Sequence, residues 1–386
     1  MKSKAIAAFC IALGLSPAPA GADEPSADPC AALAKAEAWS RAAVCVAQRT
    51  AQAPKLCGDN DHELRARIFE QDGRIEAAAA SWHKAAMVCK DEAQLLRTRR
   101  SNALAQVEAA IDLLLTGKRQ PAATALQSAR RDFELQQDAL GASVPRSLQF
   151  VQNLAITGKG AIVRRFGGDV PESIVAVQRT PDGGAWLLTR ADFGPVGGKV
   201  RLRKLDSGMR ERRSLTVGQT GDDRPLAFDV DPTGQVNAVG TTTAKDGTTT
   251  TWLCRPPMYA GTTTVVALPS LDKPVAVAQA GNDIWVAAAD GAGKPVLALV
   301  TPSGQELARH GLDVRGFART KKGLLAVDGA GRQIPLTVKG PGKPGKPPKV
   351  APVVADASQF AGPGGLWRAS VEPVDEATVV VLALLR

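Results

Sequence analysis

"AFDVDPTGQVNAVG", residues 227–240, decides how this chain is read. Asp229, Asp231, Thr233 and Gly234 have the spacing that opens a calcium loop. They also read as two short strands joined by a turn. An EF-hand-type loop needs a bidentate Glu at its twelfth position, and counted from Asp229 that position is Gly240. Asp229 and Asp231 therefore stay only weak metal candidates, and the stretch is expected to be a hairpin.

The hairpin has relatives. "SIVAVQRTPDGGAWLLT" (173–189) turns at Pro181-Asp182-Gly183, and "PVAVAQAGNDIWVAAA" (274–289) turns at Gly281-Asn282-Asp283. "VRGFARTKKGLLAV" (314–327) turns at Lys321-Lys322-Gly323, and "LWRASVEPVDEATVVVLAL" (366–384) turns near Pro373-Val374-Asp375. Two of these relatives carry Arg179 and Gln279 where a metal loop needs acids. The five copies recur at roughly 40 to 50 residues, the length of a four-stranded propeller blade. Second hairpins lie between them, at 200–215 (turn Asp206-Ser207-Gly208) and 296–308 (turn Pro302-Ser303-Gly304). Each repeat thus holds an inner and an outer hairpin. The fifth copy ends with the chain, and the unmatched "SLQFVQNLAITGKGAIVRRF" (147–166) is expected to be the hairpin that completes it. A ring closed by both ends of a domain leaves few open strand edges. The expectation is an all-β five-bladed propeller over 143–386.

"TGDDRPLAFDVDPTGQVNAVGTT" (220–242) also resembles the delta-60 and SBBP-type β-propeller repeats of exported bacterial proteins. The shared features are Gly-Asp-Asp, an apolar strand, a D-x-x-G turn and a V-x-V-x-G strand. The match is clear in this copy and faded in the others. It implies a propeller fold and no particular chemistry.

Ahead of the propeller, residues 23–142 are expected to be a helical domain, rich in Ala, Leu, Arg and Gln. Leu104, Val107, Ile111, Leu114 and Leu115 share one helical face, as do Leu126, Phe133 and Leu140. Gly73 is followed by Ala85 and Cys89 at the same spacing that separates Gly117 from Ala129 and Phe133. A Gly at a helix–helix turn, then a small residue where helices meet, resembles the tetratricopeptide repeat. The repeat's usual early Trp and Tyr are missing, and a plain helical bundle is the alternative. The whole is an α+β multidomain chain. A piece beginning near Val144 is expected to fold alone.

The first 22 residues have the three-part form of a cleaved secretory signal peptide: basic "MKSK", apolar "AIAAFCIALGL", then "SPAPAGA". No later stretch is long and apolar enough to span a bilayer. A periplasmic or secreted protein is expected, with Cys30, Cys45, Cys57 and Cys89 forming disulfides. Asp28-Pro29 reads as a helix N-cap and first turn. A single helix from there would put Cys30 and Cys45 roughly 22 Å apart, so that pairing is disfavoured. Cys254 stands apart. With Lys2 and Lys4 removed, +8 of the +10 net charge remains. In an exported protein this points to an anionic envelope surface, a glycan or an acidic protein, not to nucleic acid.

Chemistry is sparse. "HELRA" stops short of a zinc-protease motif because residue 66 is Ala. There is no nucleophile elbow, no haem-attachment motif and no P-loop. No catalytic residue, cofactor or metal is assigned. Trp186 and Trp285 sit at matching places and are expected to pack between blades. "KGPGKPGKPPK" (339–349) is expected to be a mobile basic rim loop carrying Lys339, Lys343, Lys346 and Lys349. The functional expectation is a non-enzymatic exported scaffold or adaptor for protein–protein interaction. A lectin-like glycan binder and a degenerate propeller glycoside hydrolase are the alternatives.

Overall fold

The computed structural model describes residues 28–49, 61–140, 142–218, 221–257, 263–321, 323–337, 340–345 and 359–385. The signal-peptide stretch 1–22 and Cys57 lie outside them. Among the described residues, seven helices precede five four-stranded antiparallel sheets.

α1 (Pro29–Lys35) starts where Asp28 Oδ1 accepts from the Cys30 and Ala31 amides. It is short. The chain breaks at Ala36–Ala38, with Glu37 at φ +56°, and resumes as α2 (Trp39–Gln48). The break folds α2 back, so Cys30 and Cys45 lie 5.5 Å apart at Cα and form a disulfide. This corrects the expectation that the two could not pair. The 22 Å separation presumed one uninterrupted helix, and there are two.

α3 (Asp61–Asp72) and α4 (Ile75–Val88) form one hairpin, and α5 (Gln94–Leu115) and α6 (Arg119–Leu140) form the next. Gly73 and Gly117 turn the two corners at φ +81° and +80°, a region in which only glycine rests without strain. Ala85 and Ala129 are fully buried where the helices meet. Arg100 is buried between the Trp82 and Phe133 rings and grips Glu70 with two 2.8 Å hydrogen bonds.

Residues 147–157 do not form a strand. They belong to α7 (Arg146–Thr157), which has Pro145 before it and Gly158 at φ +75° after it. Leu148, Val151, Leu154 and Ala155 fill its buried face, a helical spacing. The expected closing hairpin is therefore one strand, β1 (Val163–Gly167).

The first sheet runs β2 (Glu172–Arg179), β3 (Ala185–Asp192), β4 (Gly198–Leu205), β5 (Glu211–Val217). The second runs β6 (Asp222–Val230), β7 (Val236–Thr243), β8 (Thr249–Arg255), β9 (Thr264–Ala267). The third runs β10 (Asp272–Ala280), β11 (Asp283–Ala289), β12 (Pro295–Val300), β13 (Glu306–His310). The fourth runs β14 (Val314–Thr320), β15 (Gly323–Asp328), β16 (Gln333–Thr337), β17 (Gly340–Pro341). The fifth takes β18 (Gln359–Gly362), β19 (Gly365–Val374) and β20 (Ala377–Leu385) from the C-terminus and β1 from before the first sheet. β1 pairs with β20 from Val163↔Ala383 to Gly167↔Val379. Because β19 and β20 lie between β18 and β1, the 366–384 hairpin is the middle pair of its sheet and not the inner one.

Apolar cores lie between successive sheets. Trp186 and Trp252 fill the first–second seam, Val239 and Ile284 the second–third, and Trp285 and Leu336 the third–fourth. The fifth and first sheets share one continuous core with the helices, in which Trp367, Leu187 and Met209 join Ile111, Leu114 and Leu154. This region is propeller-like, and its helical cap is fused to it.

Candidate functional site

Asp231 and its counterparts in other hairpins serve their own turns. Asp231 Oδ1 accepts from the Thr233 amide (2.8 Å), the Thr233 hydroxyl (2.6 Å) and the Gln235 amide (2.9 Å). Asp206, Asp290 and Asp328 accept the amides two and four residues on in the same way. This is the Asx-turn use of an aspartate. Asp229 faces a different way. Its carboxylate accepts from the Gln279 amide (2.9 Å) in the third sheet and from Arg319 in the fourth. Among the described residues, no three His, Cys, Asp or Glu side chains gather around a metal-sized space.

The other expected positions are scattered. Cys89 is buried and disulfide-bonded. Cys254 is a free buried thiol, its pKa pushed up to about 12 by burial and then by the charge of Asp223. Lys343 is exposed beside β17, whereas Lys339, Lys346 and Lys349 lie outside the described residues. Trp186 and Trp285 are buried in the seams between sheets.

A large cavity lies where the helices meet β1. It holds about 520 Å³ and is walled by Trp39 of α2, Ile75 of α4, Ile111 of α5, Phe150 and Val151 of α7, and Ile162–Val163 at the start of β1. Two aromatic rings lining one crevice stand out in a chain with only 4% aromatics. Polar groups are few and mostly committed. Glu37 and Arg146 pair at the mouth (2.5 Å), with the guanidinium 6.0 Å over the Trp39 ring. Asp72 accepts from Ser40 (2.8 Å) and Arg74 (2.7 Å), and Arg165 reaches Glu372 (2.9 Å). Two polar atoms of the lining side chains remain buried without a partner: Trp39 Nε1 and Ser147 Oγ. Nothing local in the chain marks this crevice, because its walls come from five segments spread over more than a hundred residues.

A second cavity of about 310 Å³ lies alongside, lined by Arg74, Arg164 and Arg210 with Glu76 and Glu211. Most of its charges are paired, while Arg74 Nη2 and Arg164 Nη2 stay buried without a hydrogen-bond partner. Arg164 holds Glu108 (2.7 Å), Arg210 holds Asp206 (2.9 Å) and Asp112 (3.0 Å), and Arg212 holds Glu76 (2.5 Å). Burial raises the Glu76 and Glu211 carboxyls above their usual range. We read this cavity as the ionic seam that fastens the helices to the first and fifth sheets. An anion entering it would have to displace carboxylates already in place.

No family model and no curated protein matches the chain. Among solved structures, a mutant of the Synechocystis apocarotenoid oxygenase is similar at 11% identity, over 53% of this chain and 57% of that one, with a TM-score of 0.31. A puromycin hydrolase mutant is similar at 18% identity, over 52% and 34%, with a TM-score of 0.29. A protein of unknown function from Dyadobacter fermentans is similar at 12% identity, over 54% and 75%, with a TM-score of 0.30. The chain spans less than two thirds of the oxygenase and hydrolase it matches. At these TM-scores the likenesses carry no argument for an activity. They do correct the functional expectation. A non-enzymatic scaffold was expected, with glycan binding or glycoside hydrolysis behind it, whereas the named neighbours are an oxygenase and a hydrolase of a different class. A paucity of motifs was too thin a ground for that expectation, since function resides in sites and not in folds.

Proposed function

We propose that this protein binds a small, largely apolar molecule in the crevice between its helices and β1. One observation carries the reading: a 520 Å³ cavity with aromatic and aliphatic walls whose lining side chains include two buried, unpartnered polar groups. Ligand pockets commonly hold about 300–1,000 Å³, mostly apolar with a few placed polar groups. An unpaired buried donor costs about 1–3 kcal/mol. Trp39 Nε1 can only donate and the Ser147 hydroxyl can donate, so the fitting ligand carries oxygen acceptors on an apolar body.

The setting supports an exported protein. The Cys30–Cys45 disulfide suits an oxidising compartment, and no helix of the described residues is long and apolar enough to cross a membrane. We also infer that the five sheets are the blades of a five-bladed propeller. The Asp229–Arg319 contact between the second and fourth sheets supports inner strands converging on one axis. The matching Gly73/Gly117 corners and the buried Ala85/Ala129 contacts support tetratricopeptide-like hairpins.

The test uses the fluorescent reporter 1-anilinonaphthalene-8-sulfonate. The full chain should bind it with saturable one-to-one stoichiometry. Phe150→Asp, at a ring 62% exposed on the crevice wall, should weaken binding at least tenfold with an unchanged melting temperature. No saturable binding, or equal binding by the variant, would overturn the proposal.

A further inference from the structure

A third cavity, of about 330 Å³, opens where the β2–β3 and β6–β7 turns meet the end of β14. Its walls come from the first, second and fourth sheets, so it sits where the inner strands converge. Only Val230 and two prolines give it apolar surface, and the other lining residues are polar or charged: Arg179, Thr180, Asp231 and Arg319. A ligand here is recognised by charge and hydrogen bonds.

The charges are unevenly committed. Asp231 spends Oδ1 on three donors of its own turn. Asp229, just beneath, is taken by the Gln279 amide and Arg319. Arg319 is held in place in return, donating Nη1 to the Gln279 carbonyl at 2.8 Å. Arg179 is exposed and has no carboxylate partner among the described residues, and Lys321 stands exposed at the neighbouring β14–β15 turn. A guanidinium presents a planar fork that fits an oxyanion.

We propose that this mouth is an oxyanion site, taking the carboxylate or phosphate group of a small polar molecule, with Arg179 as the principal contact and Arg319 as its fixed neighbour. The site is independent of the crevice at β1, and either can fail without the other.

Isothermal titration at constant ionic strength tests it with two probes, inorganic phosphate and succinate. The wild-type chain should bind at least one of them saturably, and which one binds distinguishes phosphate from carboxylate recognition. Arg179→Gln should weaken that binding at least tenfold. Because Arg179 makes no folded-state ion pair, its melting temperature should match wild type. Arg130→Gln, an exposed position on α6, should leave binding unchanged. Absence of binding by both probes overturns the proposal, as does equal weakening by the two variants or none by Arg179→Gln.

Discussion

Arg319, at the end of β14, and Asp229, on β6, form an ion pair although their strands belong to the fourth and second sheets. The third sheet stands between them in sequence and joins the contact through Gln279. Gln178 of the first sheet makes the corresponding step, accepting from the Val230 amide and donating to the Phe228 carbonyl, both at 2.8 Å. Gln178, Asp229, Gln279 and Arg319 occupy matching places near their strand ends, so one polar belt links the inner strands.

Breaking that belt should loosen the sheets together. Asp229→Asn is expected to lower stability by about 1–3 kcal/mol, as for a buried charged hydrogen bond. Arg319→Gln should cost a similar amount, and the double variant less than the sum because both remove one interaction. Urea unfolding of the four proteins measures this, and strict additivity would show that the pair is not coupled.

The hairpins, the five-fold recurrence and the two helical corners were legible because turn chemistry and apolar periodicity are local. What failed was longer in range. Ala36, Glu37 and Ala38 are helix-compatible residues, so nothing local marks the break between α1 and α2 that the Cys30–Cys45 bridge requires. The aspartate turn serves several kinds of hairpin (Asp206, Asp231, Asp290, Asp328), so it announces a hairpin without saying which pair of strands it joins. The β19–β20 turn, with Asp375 at φ +52°, likewise marks a hairpin without placing it in its sheet. The α7 helix carries a local signal, since Pro145, the 148-151-154-155 spacing and Gly158 together spell a helix. The β1 crevice could not be read at all, because its walls come together only in the fold.

Removing the Cys30–Cys45 bridge should matter to the whole chain. For a loop of about 15 residues the chain-entropy loss is worth about 3 kcal/mol. The Cys30→Ser, Cys45→Ser double variant is expected to melt earlier, still in one transition, because helices and sheets share a core. Two separated calorimetric transitions would contradict that coupling.

The same core makes a truncation informative. A chain beginning at Val144 would strip α1–α6 from the core that Leu187, Leu205, Met209 and Trp367 share with the helices. It is expected to aggregate or to lose a sharp melting transition, which circular dichroism and size-exclusion chromatography would show. A monodisperse, cooperatively melting product would establish the β region as autonomous.

Asp222 gives a pH dependence with a definite sign. Partial burial raises its pKa, but the hydrogen bonds from Arg190 (2.6 Å), the Gly198 amide (2.8 Å) and Arg224 outweigh this and hold it at about 2. A pKa lower in the folded state stabilises above the unfolded value, near 4, and that stabilisation fades as pH falls toward 2. Asp222→Asn should therefore be less stable than wild type at pH 7, with the gap closing between pH 4 and pH 2. Urea midpoints across that range test it, and a constant gap would refute the assignment.

The most consequential carboxylate is Glu172. It is fully buried and accepts from Arg203 (2.5 and 2.6 Å), Arg201 (2.6 Å) and the Thr189 hydroxyl (2.8 Å). Its amide donates to Thr378 Oγ1 of β20 at 2.6 Å, and the Arg203 guanidinium lies 5.6 Å from the Phe166 ring of β1. The cluster thus sits where the first sheet meets the fifth. Removing one member of a buried ion pair typically costs about 3–5 kcal/mol, because the remaining charge stays buried without compensation. Glu172→Gln should fall in that range. Asp169 still holds Arg201 through two hydrogen bonds (2.7 and 2.8 Å), and Arg203 keeps Glu211 at 2.8 Å while losing both of its hydrogen bonds to Glu172, so the loss should come chiefly through Arg203. Replacing both partners, as Glu172→Leu with Arg203→Met, should recover part of it, since an apolar pair of similar volume removes the Glu172 and Arg203 charges together, while Glu211 loses its own contact with Arg203 (2.8 Å). Equilibrium unfolding of the three variants decides the point: a double variant as unstable as Glu172→Gln would mean that the cluster acts through shape and not through charge.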